Sequence, residues 1–181
     1  ATVAFPPGPG LKYDSNLDRW YEDAVVPKFS PDGTQLLWAT YLAGAGLTGD
    51  TIGPKGFALN SAGDVYLTGF TDSPDFPTTG GPSHPGASDA FVAKISGDGS
   101  AILWSTFLGG ADEDWGTALA LDVQENVYVA GLTRSANFPT LGAFDSTLGG
   151  GQDAFVARFD ASGNRLWSSY HGGDLGEERA A

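Results

Sequence analysis

A chain of 181 residues with 22 acidic against 9 basic side chains carries a formal charge of -13. Such a surface repels phosphate, which argues against a nucleic-acid binder and against docking on anionic lipid. Cysteine is absent, which excludes disulfides, zinc–thiolate sites, iron–sulfur clusters and thiol catalysis.

The first 22 residues, with Ala4-Phe5-Pro6-Pro7-Gly8-Pro9-Gly10, read as an extended arm, because proline fixes φ and lacks a donor. From there the chain repeats itself. Asp89-Ala90-Phe91-Val92-Ala93-Lys94-Ile95 recurs as Asp153-Ala154-Phe155-Val156-Ala157-Arg158-Phe159, with a weaker copy at Asp23-Ala24-Val25-Val26-Pro27-Lys28-Phe29. Each copy is followed by a glycine turn at Gly33, Gly99 or Gly163. A tryptophan then follows at Trp38, Trp104 or Trp167, and an aromatic three residues on at Tyr41, Phe107 or Tyr170. The other half of the unit occurs twice: Val65-Tyr66-Leu67-Thr68-Gly69 matches Val127-Tyr128-Val129-Ala130-Gly131, and Phe76-Pro77-Thr78 matches Phe138-Pro139-Thr140.

Alternating apolar residues between Gly- and Asp-rich turns predict short strands. In one unit they fall near 56–60, 64–71, 89–96 and 101–108, and in the next near 117–122, 126–133, 153–159 and 164–170. The stretches 72–88 and 134–152, rich in Pro, Gly, Ser and Thr, read as long surface loops. The chain then divides into an arm (1–22), a half unit (23–55), two full units (56–116 and 117–173) and a tail or the start of another unit (174–181). Tandem four-stranded units with this punctuation suggest propeller blades. The expected fold is therefore all-β, a β-propeller-type array of four-stranded antiparallel blades. About two and a half blades are present, an incomplete propeller by this count, since closure takes at least four.

The blocks Asp89–Lys94, Ser105–Gly110, Asn126–Gly131 and Asn137–Thr140, in this order, resemble the bacterial β-propeller repeat abbreviated SBBP, over roughly 23–175. The resemblance implies a fold and an extracellular or cell-surface setting in a bacterial protein. It implies no activity and supplies no catalytic residues.

Asp112-Glu113-Asp114, after Gly109-Gly110, is the densest acidic cluster and the candidate calcium site, since calcium takes several oxygen ligands. No complete Asp-x-Asp-x-Asp-Gly loop accompanies it, and solvated turn carboxylates are the competing reading. Asp fills 17 of the 22 acidic positions, many beside turn glycines, so much of the charge belongs to turn chemistry. Trp38, Trp104 and Trp167 share one register and read as packing between blades. Trp20 and Trp115 fall outside it and are the candidates for a stacking surface or subunit contact. The two histidines, His84 and His171, enter no recognisable Ser–His–Asp spacing. The expected role is a non-enzymatic structural or interaction module with no resident cofactor, and partners that are copies of itself or a larger assembly. A carbohydrate- or calcium-binding module is the alternative, and an enzyme fragment whose site lies in other blades is the third reading.

Overall fold

The structure, a computed structural model, describes residues 24–42, 51–81, 83–84 and 86–173. The expectations for the arm, Trp20 and the tail lie outside the described residues. Those described form ten strands and no helix, so none of them forms a helix long and apolar enough to cross a membrane. Strands β1 (Ala24–Phe29) and β2 (Leu36–Leu42) make a two-stranded sheet. The second sheet runs β3 (Ile52–Leu59), β4 (Val65–Thr71), β5 (Asp89–Ile95) and β6 (Ile102–Leu108). The third repeats it with β7 (Asp114–Leu121), β8 (Val127–Thr133), β9 (Asp153–Phe159) and β10 (Arg165–His171). Every pairing within these sheets is antiparallel, between strands consecutive in sequence.

The first strand of each four-stranded sheet starts earlier than its sequence suggests, at Ile52 and Asp114 rather than 56 and 117. Pro54 and Gly116 look like turn punctuation. Instead each lies beside an irregularity in the pairing, between Pro54 and Gly56 and between Gly116 and Ala118, and the strand continues through it.

Alternation along β5 explains how three sheets yield two cores, since successive side chains point to opposite faces. Phe91, Ala93 and Ile95 join Val26, Leu42, Ile52 and Phe107 on one side. Ala90 and Val92 join Tyr66, Val127, Val129, Phe155 and Phe159 on the other. β5, covered on both faces and paired on both edges, is buried throughout.

The loops 72–88 and 134–152 are anchored, which their composition hides. Phe76 packs on Phe91 at 4.8 Å and Phe138 on Phe155 at 4.6 Å, both between ring centroids. Each loop then crosses to the last strand of its sheet. Thr79 N donates to Ser105 O at 3.1 Å, and Leu141 and Ser168 exchange two backbone bonds at 3.0 and 2.9 Å. These bonds cover part of an edge that would otherwise be open to pairing.

Candidate functional site

The recurring chemistry of the molecule lies where one sheet meets the next. At the first junction Trp38 Nε1 donates to Gly97 O at 3.0 Å, and Lys28 Nζ donates to the same carbonyl at 2.8 Å. At the second, Trp104 Nε1 donates to Ala161 O at 3.1 Å and its ring stacks on Phe159, with centroids 6.3 Å apart. Both rings lie against a left-handed turn glycine. A Cβ added at Gly99 would come within 2.6 Å of Trp38, and one at Gly163 within 2.7 Å of Trp104. Glycine serves twice here, adopting positive φ (+71 and +85) and leaving room for the indole. The sequence register assigns Trp38, Trp104 and Trp167 to packing between blades, and the structure shows Trp38 and Trp104 packing between sheets.

A polar latch ties the second and third sheets together. Glu125 sits in the β7–β8 turn at φ 62, the one described non-glycine residue with positive φ, where the previous unit has Gly63. Its carboxylate accepts hydrogen bonds from Asn60 Nδ2 and Tyr66 OH, each at 3.0 Å, and lies 3.4 Å from Lys94 Nζ. The hydrogen bonds from Asn60 and Tyr66 hold the Glu125 carboxyl below its usual range. Burial works against the charge on Lys94. Tyr66 and Asp64, the latter's carboxylate 3.2 Å away, nevertheless hold its ammonium above the usual lysine range. Placing glutamate where the repeat has glycine was the sequence signal for this latch, visible only once the turns are aligned.

The predicted acidic cluster does not converge. Asp112 is exposed, and Glu113 pairs with Arg134 at 2.8 Å. Asp114 is fully buried, its Oδ2 accepting from Gly110 N and Ser135 Oγ, both at 2.7 Å. β7 begins only at Asp114, so Asp112 stays in the exposed turn while Asp114 is drawn into the interior. Among the described residues no group of three or more His, Asp or Glu is arranged to hold a metal ion. Trp115, the one described interaction candidate, is partly exposed and its ring lies 5.6 Å from that of Phe70 on the adjacent sheet.

Asp114 instead approaches Asp89, a residue that sequence reasoning read only as a repeat marker. A Cβ added at Gly109 would meet Asp89 Oδ1 and Asp114 Oδ2 together, at 2.0 and 2.8 Å, so that glycine lets both carboxyls close in. Asp89 Oδ1 and Asp114 Oδ1 are buried without a hydrogen-bond partner. Burial pushes the Asp89 carboxyl up to about 6, against the pull of Gly86 N and the nearby His84. Burial also raises Asp114, despite the hydrogen bonds it accepts. His84, expected in a surface loop, directs Nε2 at Thr71 O (3.2 Å) and Asp89 Oδ2 (3.3 Å) and stands edge-on to Phe107. The signal for this cluster was the aspartate that opens each copy of the repeat, ahead of a run of apolar residues.

An apolar cleft of about 550 Å³ lies between β1 and the β3–β4 face, lined by residues including Val25, Phe29, Phe57 and Leu67. Among the described residues its ionisable lining groups are Lys28 and Lys55.

No curated protein matches the chain. A family model described as the SBBP β-propeller repeat matches residues 103–139. That span begins in β6, crosses the Asp114 turn, follows β7 and β8 and reaches the Phe138-Pro139 anchor, so the family's repeat is phased across two successive sheets. The stretch from Leu103 to Pro139 is thus similar to the SBBP β-propeller repeat.

Proposed function

We propose that the chain is a structural and protein-interaction module of a bacterial extracellular or cell-surface protein. In this reading it is a non-enzymatic run of propeller blades, about two and a half in number, completed by further chain or by other subunits. One observation carries the reading. The first sheet has two described strands where its neighbours have four, and the apolar cleft opens beside it. In the second sheet, β4 pairs with the edge of β5 that corresponds to the cleft side of β1. Two further strands added there would pair with β1 and cover Phe57 and Leu59, now 71% and 55% exposed. Unpaired strand edges beside exposed apolar side chains are the ordinary substrate of β-strand addition.

The test is the native mass of the particle together with the intact mass of its chain, read from the same sample. A multimer, or a longer chain containing these residues, is the expected result. A monodisperse 18.7 kDa monomer with complete β-structure would overturn the reading. For the calcium or glycan alternative the divergence of Asp112, Glu113 and Asp114 offers little support. Calorimetric titration with calcium is expected to give no saturable heat.

A further inference from the structure

We infer that the face of the third sheet bearing Trp167 docks a second copy of this chain, head to tail, on the face bearing Phe29 and the Gly33 turn. The inference rests on the module reading above and names its partner and contact.

Each junction between sheets is built from the same two halves. At both internal junctions a tryptophan on the last strand of one sheet enters a left-handed glycine turn of the next and donates to a turn carbonyl. The residue closing the next sheet's third strand is buried there, Ile95 at 0% exposure and Phe159 at 2%. Each half then occurs once more without its mate. Trp167 repeats Trp38 and Trp104 and stands edge-on to Tyr128 at 6.5 Å, as Trp104 does to Tyr66 at 6.2 Å. Among the described residues its Nε1 meets no acceptor. At the other end of the array Gly33 keeps the left-handed turn, at φ +70, but a Cβ there would meet nothing within 4 Å. Phe29, in register with Ile95 and Phe159, is 55% exposed.

The two open faces therefore continue an interface that the chain already makes twice, and both halves belong to the same chain. Docking would bring Trp167 Nε1 to the carbonyl of Pro31, in register with Gly97 and Ala161, and its ring onto Phe29. The contact joins different patches on the two copies, so it propagates into a ring or an open fibre rather than stopping at a symmetric dimer.

Two variants block opposite faces. Gly33→Asn retains a residue tolerant of the left-handed turn but places a side chain where the indole must enter. Trp167→Ala removes the inserting ring. Circular dichroism and thermal melting establish that each variant is folded. Light scattering after size exclusion should show the unmodified chain growing in mass with concentration, and each variant alone at 18.7 kDa. An equimolar mixture should give a complex of twice that mass and no larger species, since each variant keeps one intact face. A multimer whose mass neither variant changes would overturn this contact while leaving the module reading in place. An unmodified chain that stays monomeric would also overturn it. The module reading would then fall only if the intact native chain proves no longer than 181 residues.

Discussion

Asp89 shows what a single buried charge does to the whole molecule. Its carboxyl titrates near 6 in the folded protein against 3.8 when free. Between those values the folded state holds the extra proton, so stability falls as pH rises through the window. Melting temperature is therefore expected to be higher at about pH 5 than at about pH 7.5. Asp89→Asn should flatten that slope, whereas a wild-type profile level across the window would contradict the assignment. The opposite limb belongs to Asp64, Asp122 and Asp160, whose carboxyls lie below the usual range through local hydrogen bonds that outweigh what burial they have. Their contribution is present above the unfolded value and is lost as pH drops below roughly 4.

Glu125 offers a second test at this scale, because its backbone and side chain pull in opposite directions. Glu125→Ala keeps the left-handed strain and loses the hydrogen bonds from Asn60 and Tyr66, costing about 1–2 kcal/mol in urea unfolding. Glu125→Gly loses the same bonds but relieves the backbone, and should recover about 1 kcal/mol of that cost.

At the scale of elements, the strands depend on loops that look dispensable. Phe138 fills the space over Phe155 and Tyr170, and the Tyr170 hydroxyl accepts from Phe138 N at 3.0 Å while donating to Ser135 O at 2.6 Å. Phe138→Ala is expected to cost about 3–5 kcal/mol, the range for emptying an aromatic site in a packed core. Limited proteolysis should then cut first within 139–152. Tyr170→Phe keeps the ring and removes both hydroxyl bonds, but Phe138 N still donates to Ser135 O at 3.1 Å, for a smaller loss of about 1 kcal/mol. The turn glycines give a matched comparison. Gly33→Ala meets only backbone strain and should cost about 1 kcal/mol. Gly163→Ala adds a collision with the Trp104 ring and should cost at least about 2–3 kcal/mol.

For the molecule as a whole, β5 carries most of the architecture, giving side chains to both cores. Sheets stacked in this way bury each apolar face on a neighbour, so the outermost faces stay open until something covers them. A net charge of -13 on every copy opposes that covering. Screening falls within a few ångströms at high ionic strength, so association is expected to strengthen between about 0.02 and about 0.5 M salt. Sedimentation at the two salt concentrations reads this directly, and weakening with salt would point to contacts dominated by ion pairs.

Much of this protein could be read from one dimension. Strands arise from a period-2 pattern bounded by Gly and Asp turns, and turn chemistry is a property of three or four adjacent residues. That is why the repeated blocks located nearly all the strands and the tryptophan register from sequence alone. The family repeat was legible for the same reason. Other features depended on which faces the stacked sheets bring together. Asp112, Glu113 and Asp114 are consecutive, yet they straddle the end of a turn and the start of β7, which leaves Asp112 exposed and buries Asp114. Asp89 and Asp114 lie 25 positions apart, and only the fold of the Gly109 turn lets their carboxyls approach. Phe76 and Phe138, placed among Pro, Ser and Thr, read as loop residues until the loops close over the sheets. Local chemistry wrote the strands and turns. Contacts between distant elements were set by sheet stacking, where burial rather than sequence adjacency selects the neighbours.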